Sequence, residues 1–568
     1  MKRVIYTVFI VIFALTLVGY RSAVWAQEVR PNNIFGIHLA VPSREDEASA
    51  ARLVNSNGGR WGYVTVVIQE NDRDVQKWRD TFDSLRRLHL IPIVRLATNP
   101  VGSYWRRPHE DDAQEWAAFL QQLPWVVEDR YIILFNEPNH AGEWGGAVDP
   151  AEYAQVAEAF TKALHGADSA YVVMLAGLDV AAPSQAPTYE DAAIFFEKMH
   201  EAQPKLFSQV DALSSHAYPN PAFAASPLKT GRNSIKTYEW ELEVFREYGA
   251  RADLPVFITE TGWSRERLDA STVAQHTKTA FELWQQDDRV RAATPFILNY
   301  QSPPFTNFSW QKQGSNEFFE QYHLVQSMSK PAGDPRQKEA GSMGDTLAQE
   351  LFISSTYQFH IELRNTGQAV WDVSDGYNLV LVDKESKLPV PGYFFENVRG
   401  VEPGQMSSFS LFMKTADQPS KRAWRVELRK NDRAVIGRDW SVEVLPLPLM
   451  KVRVGLFPRI RAKADREFEV QIFDQEERLV YKQDGLKRSN SVVTIDQVPN
   501  VYVGGEYRVV LLSRQYLPRQ THVTIQDGEN TASMHPMLPL DFDEDGALGW
   551  GDLWALITHP WYVGYFLP

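Results

Sequence analysis

Two stretches of this 568-residue chain end apolar runs in reactive side chains. "ILFNEPNHAG" (133–142) sets Asn136 and Glu137 side by side where a proline must turn the chain, and "VFITETGW" (256–263) ends in Glu260 in much the same way. Two carboxyl groups that face each other can divide labour. One, kept protonated by its surroundings, gives a proton to a leaving oxygen; the other attacks a sugar carbon or activates water, which is the minimum equipment for breaking a glycosidic bond. A gap of about 5–5.5 Å implies a covalent sugar intermediate and retained stereochemistry, whereas ~6.5–9.5 Å leaves room for water and inverts it. Each group alone has a plainer use, since Asn and Glu before proline also start helices and a lone Glu can cap or pair.

Something must bring the two together, and the chain from 31 to 330 has the pattern to do so. Short apolar runs, "IFGIHLA", "WGYVTVVIQ", "IPIVRLA", "YIILFNEP", "YVVMLAG", "DALSSHAYP", "PVFITETGW" and "ATPFILNY", alternate with amphipathic stretches such as "DVQKWRDTFDSLRRL", "DPAEYAQVAEAFTKAL" and "STVAQHTKTAFELW". Runs apolar on both faces suit parallel strands covered on both sides. Asp149 followed by Pro150 is a helix start with a capping side chain and a proline at the first helical position. Eight strand–helix units over about 300 residues have the count and size of an α/β (β/α)8 barrel. An open doubly wound sheet is disfavoured because no Gly-rich loop follows the first run. In such a barrel reactive groups sit where strands end. Asn136 and Glu137 end the fourth run and Glu260 the seventh, so both are expected at one rim.

"FNEP" at the fourth strand and "ITETGW" at the seventh resemble glycoside hydrolase clan A, the retaining barrel enzymes, over residues of about 34–330. That resemblance implies Glu137 as acid/base, Glu260 as nucleophile and Asn136 as the partner of the sugar 2-hydroxyl. "SHAYP" resembles the clan's sixth strand and implies that Tyr218 hydrogen-bonds the nucleophile, with His216 nearby. Trp263 and Trp310 are candidate platforms for a sugar ring, and His38, ending the first run, is a further polar candidate. The sequence departs from the clan at one position. Clan members place an Arg on the second strand close to the nucleophile, but Arg60 lies at the beginning of that strand, the wrong end of the barrel. Arg95, near the end of "IPIVRLA", is the substitute. Without a cation beside it, Glu260 would lose the opposite charge that lowers its pKa.

"DFDEDGALGWGD" (541–552) holds a second chemistry. Asp541, Asp543 and Asp545 fall at positions one, three and five of a twelve-residue loop, Gly546 at its turn, Ala547 offers a backbone carbonyl and Asp552 closes it. This is the oxygen cage of an EF-hand-type Ca²⁺ site. Closure by Asp resembles dockerin modules, which carry two such loops where one is found here, and it implies a cohesin-type or cell-surface partner. The plainer reading is a solvated acidic turn. Between barrel and tail, 331–346 is polar with Pro and Gly and is expected as a linker. Residues 347–445 alternate as short strands, predicting a β-sandwich; "LRNTGQAVWDVSDGYNLVLVD" resembles immunoglobulin-like modules. A second, smaller sandwich is expected over 450–530, before the tail at 534–568.

Composition narrows the partners. A net charge of −14 argues against non-specific nucleic-acid binding, and the absence of cysteine excludes disulfides, thiolate metal sites and a cysteine nucleophile. No HExxH pair, phosphate-binding Gly-rich loop or GxSxG elbow is found, and the two-carboxylate chemistry needs no cofactor. Lys2 and Arg3, an apolar run to about Val18 and small Val24 and Ala26 form a secretory signal, residues 1–26, so a secreted or surface-attached protein is expected, membrane-bound only if that segment stays uncut. The rival readings are a carbohydrate-binding or scaffold barrel without activity, and a Ca²⁺-dependent cell-surface adhesion protein.

Overall fold

The computed structural model describes residues 33–457 and 466–565; the expected signal at 1–26 lies outside them. The chain divides into two compact units after Lys338.

The first unit holds eight parallel strands, β1 (Gly36–His38), β2 (Gly62–Gln69), β3 (Leu90–Ala97), β4 (Arg130–Leu134), β5 (Tyr171–Leu175), β6 (Leu213–His216), β7 (Val256–Glu260) and β8 (Val290–Ala293). β1 to β5 form one sheet in chain order and β6 to β8 another. Single parallel bridges, Met174 to Ala212 and Phe35 to Ala293, join the two sheets at both seams, giving a nearly closed barrel. Among the described residues, eight helices of two turns or more alternate with the strands: α1 (Arg44–Val54), α2 (Val75–Arg87), α3 (Asp112–Leu120), α4 (Pro150–Ala167), α5 (Ala192–Ala202), α6 (Thr237–Glu247), α7 (Ala270–Trp284) and α8 (Glu320–Ser327). Local chemistry sets their starts. Asp149 accepts from the Glu152 N–H with Pro150 following, Asp269 accepts from Thr272 and Asp74 from Gln76 and Lys77. No helix among the described residues is long and apolar enough to cross a membrane.

The strands are buried nearly throughout because helices cover them outside and side chains fill them inside. Tyr63 of β2, Tyr131 of β4 and Phe257 of β7 meet with ring centroids 5.0 to 6.3 Å apart. These strands are not neighbours, so the three rings pack through the barrel's interior. A filled interior leaves the carboxyl ends of the strands as the place for a cleft.

The eighth run starts earlier and ends irregularly. β8 closes at Ala293, the first residue of "ATPFILNY". Beyond it Thr294 N–H donates to Ile258 O and Phe296 N–H to Thr261 O, Pro295 O accepts from His38 N–H and Leu298 N–H donates to His38 O. This stretch still runs between β7 and β1, while Ile297 and Leu298 also bond to 308–311. The expected linker is also corrected. Ala332 bridges Arg60, Gly333 N–H donates to Arg60 O, and Arg336 pairs with Asp129 at 2.7 Å, so 332–337 belongs to the barrel unit. Gly341–Asp345 is a strand antiparallel to Thr356–Asn365. Its "GSMGD" has poor strand propensity, yet a Cβ on Gly341 would stand 2.4 Å from the buried Trp371 ring, so packing selects glycine there.

The second unit contains a sandwich of two four-stranded sheets with one apolar core. Thr356–Asn365 alternates exposed and buried residues without a break, one face on the core and one in water. The following strands differ from the expected second sandwich. They form one continuous seven-stranded sheet from Leu449–Arg453 to Glu529–Ser533, whose long strand Leu479–Ser489 pairs with both halves around a shared core. The tail holds a helix, Trp550–Thr558, followed by a 3-10 helix, Pro560–Tyr565.

Candidate active site

β4 cannot run on into a helix because Pro138 disfavours the right-handed helical region for the residue before it. Glu137 has φ 30° and Phe135 φ 72°, both left-handed. Such residues cost on the order of 1–3 kcal/mol each and persist only where the surroundings over-determine them. Here the buried Phe135 ring is wedged against Phe160 and Trp144, and Asn139, fully buried, donates to Asp179 O at 2.9 Å and Glu190 O at 3.1 Å. The turn is fixed on both sides, so Asn136 and Glu137 point into the rim rather than along the strand.

Glu260 is the last residue of β7 and is 7% exposed. Arg95, two residues before the end of β3, pairs with its Oε1, and Tyr218 OH donates to its Oε2 at 3.0 Å. The cation therefore comes from β3. Arg60 lies just before β2, with its guanidinium 3.4 Å from the His89 ring. Arg95 also donates from Nη1 to Asn136 Oδ1 at 2.6 Å. His216, 1% exposed, joins the two acids. Its Nδ1 lies 2.7 Å from Glu137 Oε1, within hydrogen-bond reach, and 3.8 Å from Glu260 Oε2. Its ring fits because Gly177 lacks a side chain; a Cβ there would stand 2.2 Å from His216 Cδ2. One oxygen each of Glu137 and Glu260 lies within 4.8 Å of the other and of the His216 nitrogen.

The electrostatics separate the groups. Burial alone would push Glu260 up, but His216 and Arg95 together hold it well below the usual carboxylate range. Burial works against a charged His216, yet Glu260 and Glu137 overcome it and raise His216. Tyr218 is pushed far above its ordinary value by burial and by Glu260, so it stays a donor. His38 sits 3.9 Å from Glu260 and, fully buried beside Arg95, is pushed down to about 3, hence neutral.

The pair opens into a cavity of about 310 Å³. Trp105 walls it from the loop after β3, Phe223 from the loop after β6, and Phe305 and Phe308 from the segment after β8. Phe223 and Phe305 are 36% and 41% exposed, flat apolar faces open to solvent. Trp263 and Trp310 are not in this cleft. Each is 3% exposed and lines a separate small void, and Trp263 donates its indole N–H to Ala225 O. His140, Glu143 and Asp179 also line the cleft, with His140 paired to Asp179 at 3.0 Å. The sequence reading missed these and the cleft aromatics, although "GSYW", "NPAF" and "NHAGEW" each follow a strand's carboxyl end, where a barrel keeps its ligand contacts.

In the tail, Asp541, Asp543 and Asp552 bring carboxylate oxygens within 4.8 Å of one another. A Cβ on Gly551 would collide with Asp543, and Gly546 takes the left-handed φ of 83° its turn requires. Burial, then neighbouring acids, raise Asp541. Asp545 stands outside this cluster, accepting from the Ala547 N–H at 2.8 Å.

Residues 88–322, most of the barrel, match the family model described as glycosyl hydrolase catalytic core, so this stretch is glycoside-hydrolase-like in sequence. No curated protein matches the chain. Similar solved structures include a family 39 glycoside hydrolase from Bacteroides cellulosilyticus WH2, at 15% identity over 68% of this chain and 82% of that one with a TM-score of 0.38. A family 5, subfamily 18 protein from Streptomyces cattleya shows 13% identity over 57% and 84%, with a TM-score of 0.39. An endo-beta-1,3-glucanase of family 128 from Pseudomonas viridiflava shows 12% identity over 52% and 98%, with a TM-score of 0.35.

Proposed function

We propose that the barrel is a retaining glycoside hydrolase in which Glu260 attacks the anomeric carbon and Glu137 serves first as acid and then as base. The meeting of one oxygen from each within 4.8 Å carries this reading, because it puts both carboxyl groups within reach of a single glycosidic bond, nearer the close pairing of about 5–5.5 Å found in retaining enzymes. Glu260, kept ionised by His216 and Arg95, suits nucleophilic attack. Glu137 protonates the glycosidic oxygen as it leaves, and a covalent glycosyl–Glu260 ester forms. Glu137, now ionised, then takes a proton from water attacking the same carbon, which releases the sugar and restores both groups. Asn136 binds the sugar 2-hydroxyl, and the exposed faces of Phe223 and Phe305 receive sugar rings. A panel of chromogenic glycosides and polysaccharides, run beside a Glu260 variant, tests the assignment.

Arg95 supplies the pH dependence. Its loss removes a cation that lowers Glu260, so Arg95→Met is expected to move the acid limb of kcat/KM upward by about 1–3 pH units, the usual effect of an opposite charge at contact distance. The sign is fixed because activity needs ionised Glu260. An unmoved limb in the measured pH–rate profile would remove Arg95 from this role.

The chain is further expected to be exported, with the two β units as accessory modules and a Ca²⁺ ion held by Asp541, Asp543 and Asp552 in the tail. The convergence of three acids around one point supports the ion, whose chemistry there is structural: it neutralises their repulsion and ties the loop to the helix that follows. A cohesin-type or cell-surface partner is the reading for that tail. Calorimetric titration of the full chain with CaCl₂ should show saturable binding that Asp541→Ala removes; equal heats from both proteins would reject the site.

A further inference from the structure

We propose that His140 and Asp179 form a specificity-determining pair that holds the sugar on the leaving-group side of the cleaved bond, through hydroxyls of that ring. The inference rests on the glycoside hydrolase reading and names what the cleft recognises beyond the scissile bond. Both residues line the cavity, and His140 Nε2 lies 3.0 Å from Asp179 Oδ2. One carboxylate oxygen is spent on the fold, since Asp179 Oδ1 accepts from Ala181 N–H at 2.8 Å. Oδ2 keeps lone-pair capacity beyond the imidazole, and His140 keeps Nδ1. A sugar hydroxyl both donates and accepts, so it can bond either atom whatever the charge on the ring. Burial works against the charge on each residue, yet Asp179 and then Glu137 raise His140, and His140 lowers Asp179.

The pair is held in place before any sugar arrives. Asn139, fully buried, donates to Asp179 O at 2.9 Å and accepts from Asp179 N–H at 3.3 Å. His140 N–H donates to Glu137 O at 2.9 Å, and its ring stands edge-on to Tyr189 with centroids 4.9 Å apart. The loops after β4 and β5 are thus joined at the two side chains, which leaves little rotamer freedom to lose on binding. Their place decides which ring they meet. Arg95 and Tyr218, the partners of Glu260, surround the sugar whose carbon Glu260 attacks. Among the described residues, neither His140 nor Asp179 is hydrogen-bonded or ion-paired to Glu260, Arg95 or Tyr218. His140 is tied instead to the backbone of Glu137, whose proton goes to the bridging oxygen, where the departing ring begins.

The test uses the full chain and two substrates of the kind the panel identifies, alike up to the cleaved bond. One carries phenol beyond it and the other carries sugar. Phenoxide, like a sugar alkoxide, leaves with the help of the Glu137 proton, so a change in Glu137 alone would slow both. His140→Phe keeps a ring for Tyr189 and removes both nitrogens. It is expected to lower kcat/KM on the oligosaccharide by about 10- to 100-fold, the scale of one hydrogen bond to a charged group, and to cost the phenyl glycoside at least about fivefold less. Equal losses on the two substrates, or no loss on the oligosaccharide, would overturn the inference. Should the phenylalanine variant melt, Asp179→Asn, which keeps an acceptor for Ala181 N–H, gives the same comparison. Failure of the underlying reading looks different: Glu260→Ala would then turn over both substrates at the wild-type rate.

Discussion

Replacing Glu260 by glutamine is expected to lower turnover by at least about a thousandfold, or about 4 kcal/mol at 1.36 kcal/mol per decade, while leaving the protein folded. The amide cannot form the glycosyl ester that splits the reaction into two easier steps. Glutamine is the sharper choice than alanine for the first measurement. Glu260 is a buried charge paired with Arg95, and truncating one partner of such a pair costs about 3–5 kcal/mol by stranding the other. Glutamine keeps the length and shape of the side chain, with its one carbonyl oxygen left for Arg95 and its amide N–H able to donate to the Tyr218 hydroxyl oxygen, so a lost rate with an unchanged thermal midpoint isolates chemistry from folding. Glu260→Ala then offers a complementary result. With the side chain gone, an added small anion such as azide can occupy the space, displace the leaving group itself and yield a glycosyl azide of inverted configuration. An unchanged rate in either variant removes Glu260 from the mechanism.

Glu137→Ala should behave in a way that depends on the leaving group. General acid catalysis is worth about 10²–10⁴-fold, and that loss is expected in full for a natural sugar or other leaving group that must be protonated. A dinitrophenolate departs without a proton, so formation of the Glu260 ester should be nearly spared while its hydrolysis, now without a base, becomes slow. The progress curve is then a burst followed by a slow steady state, and azide should accelerate the slow phase to give a glycosyl azide of retained configuration. The same substitution removes one of the two carboxylates that raise His216, whose imidazole titration should fall. A loss of equal size for good and poor leaving groups would assign Glu137 to binding instead.

Much of this site was legible in order along the chain, because a barrel places the carboxyl ends of successive strands on one rim. Counting runs put Asn136, Glu137 and Glu260 at the fourth and seventh positions, and the structure has them at the ends of β4 and β7. What the sequence could not provide was distance. Arg95 reaches Glu260 from β3, and only the pleat and tilt of the strands decide that reach. The tryptophans show the opposite failure. Trp263 is next to the right strand end, yet its backbone turns it inward, where Ala225 O accepts its N–H. Phe223 and Phe305, in polar loops without periodicity, carry the exposed faces instead. Gly341–Asp345 was read as linker for a related reason: its strand is selected by a tertiary neighbour, Trp371, and not by its own propensity.

The stereochemistry of cleavage tests the two-carboxylate account most directly. The first sugar released by the full chain from a glycoside it cleaves can be followed by proton NMR before the anomers equilibrate. If Glu260 forms an ester on one face and water, activated by Glu137, returns to that face, the product keeps the substrate's anomeric configuration. Initial release of the opposite anomer would mean a single displacement by water, and would contradict a nucleophilic Glu260.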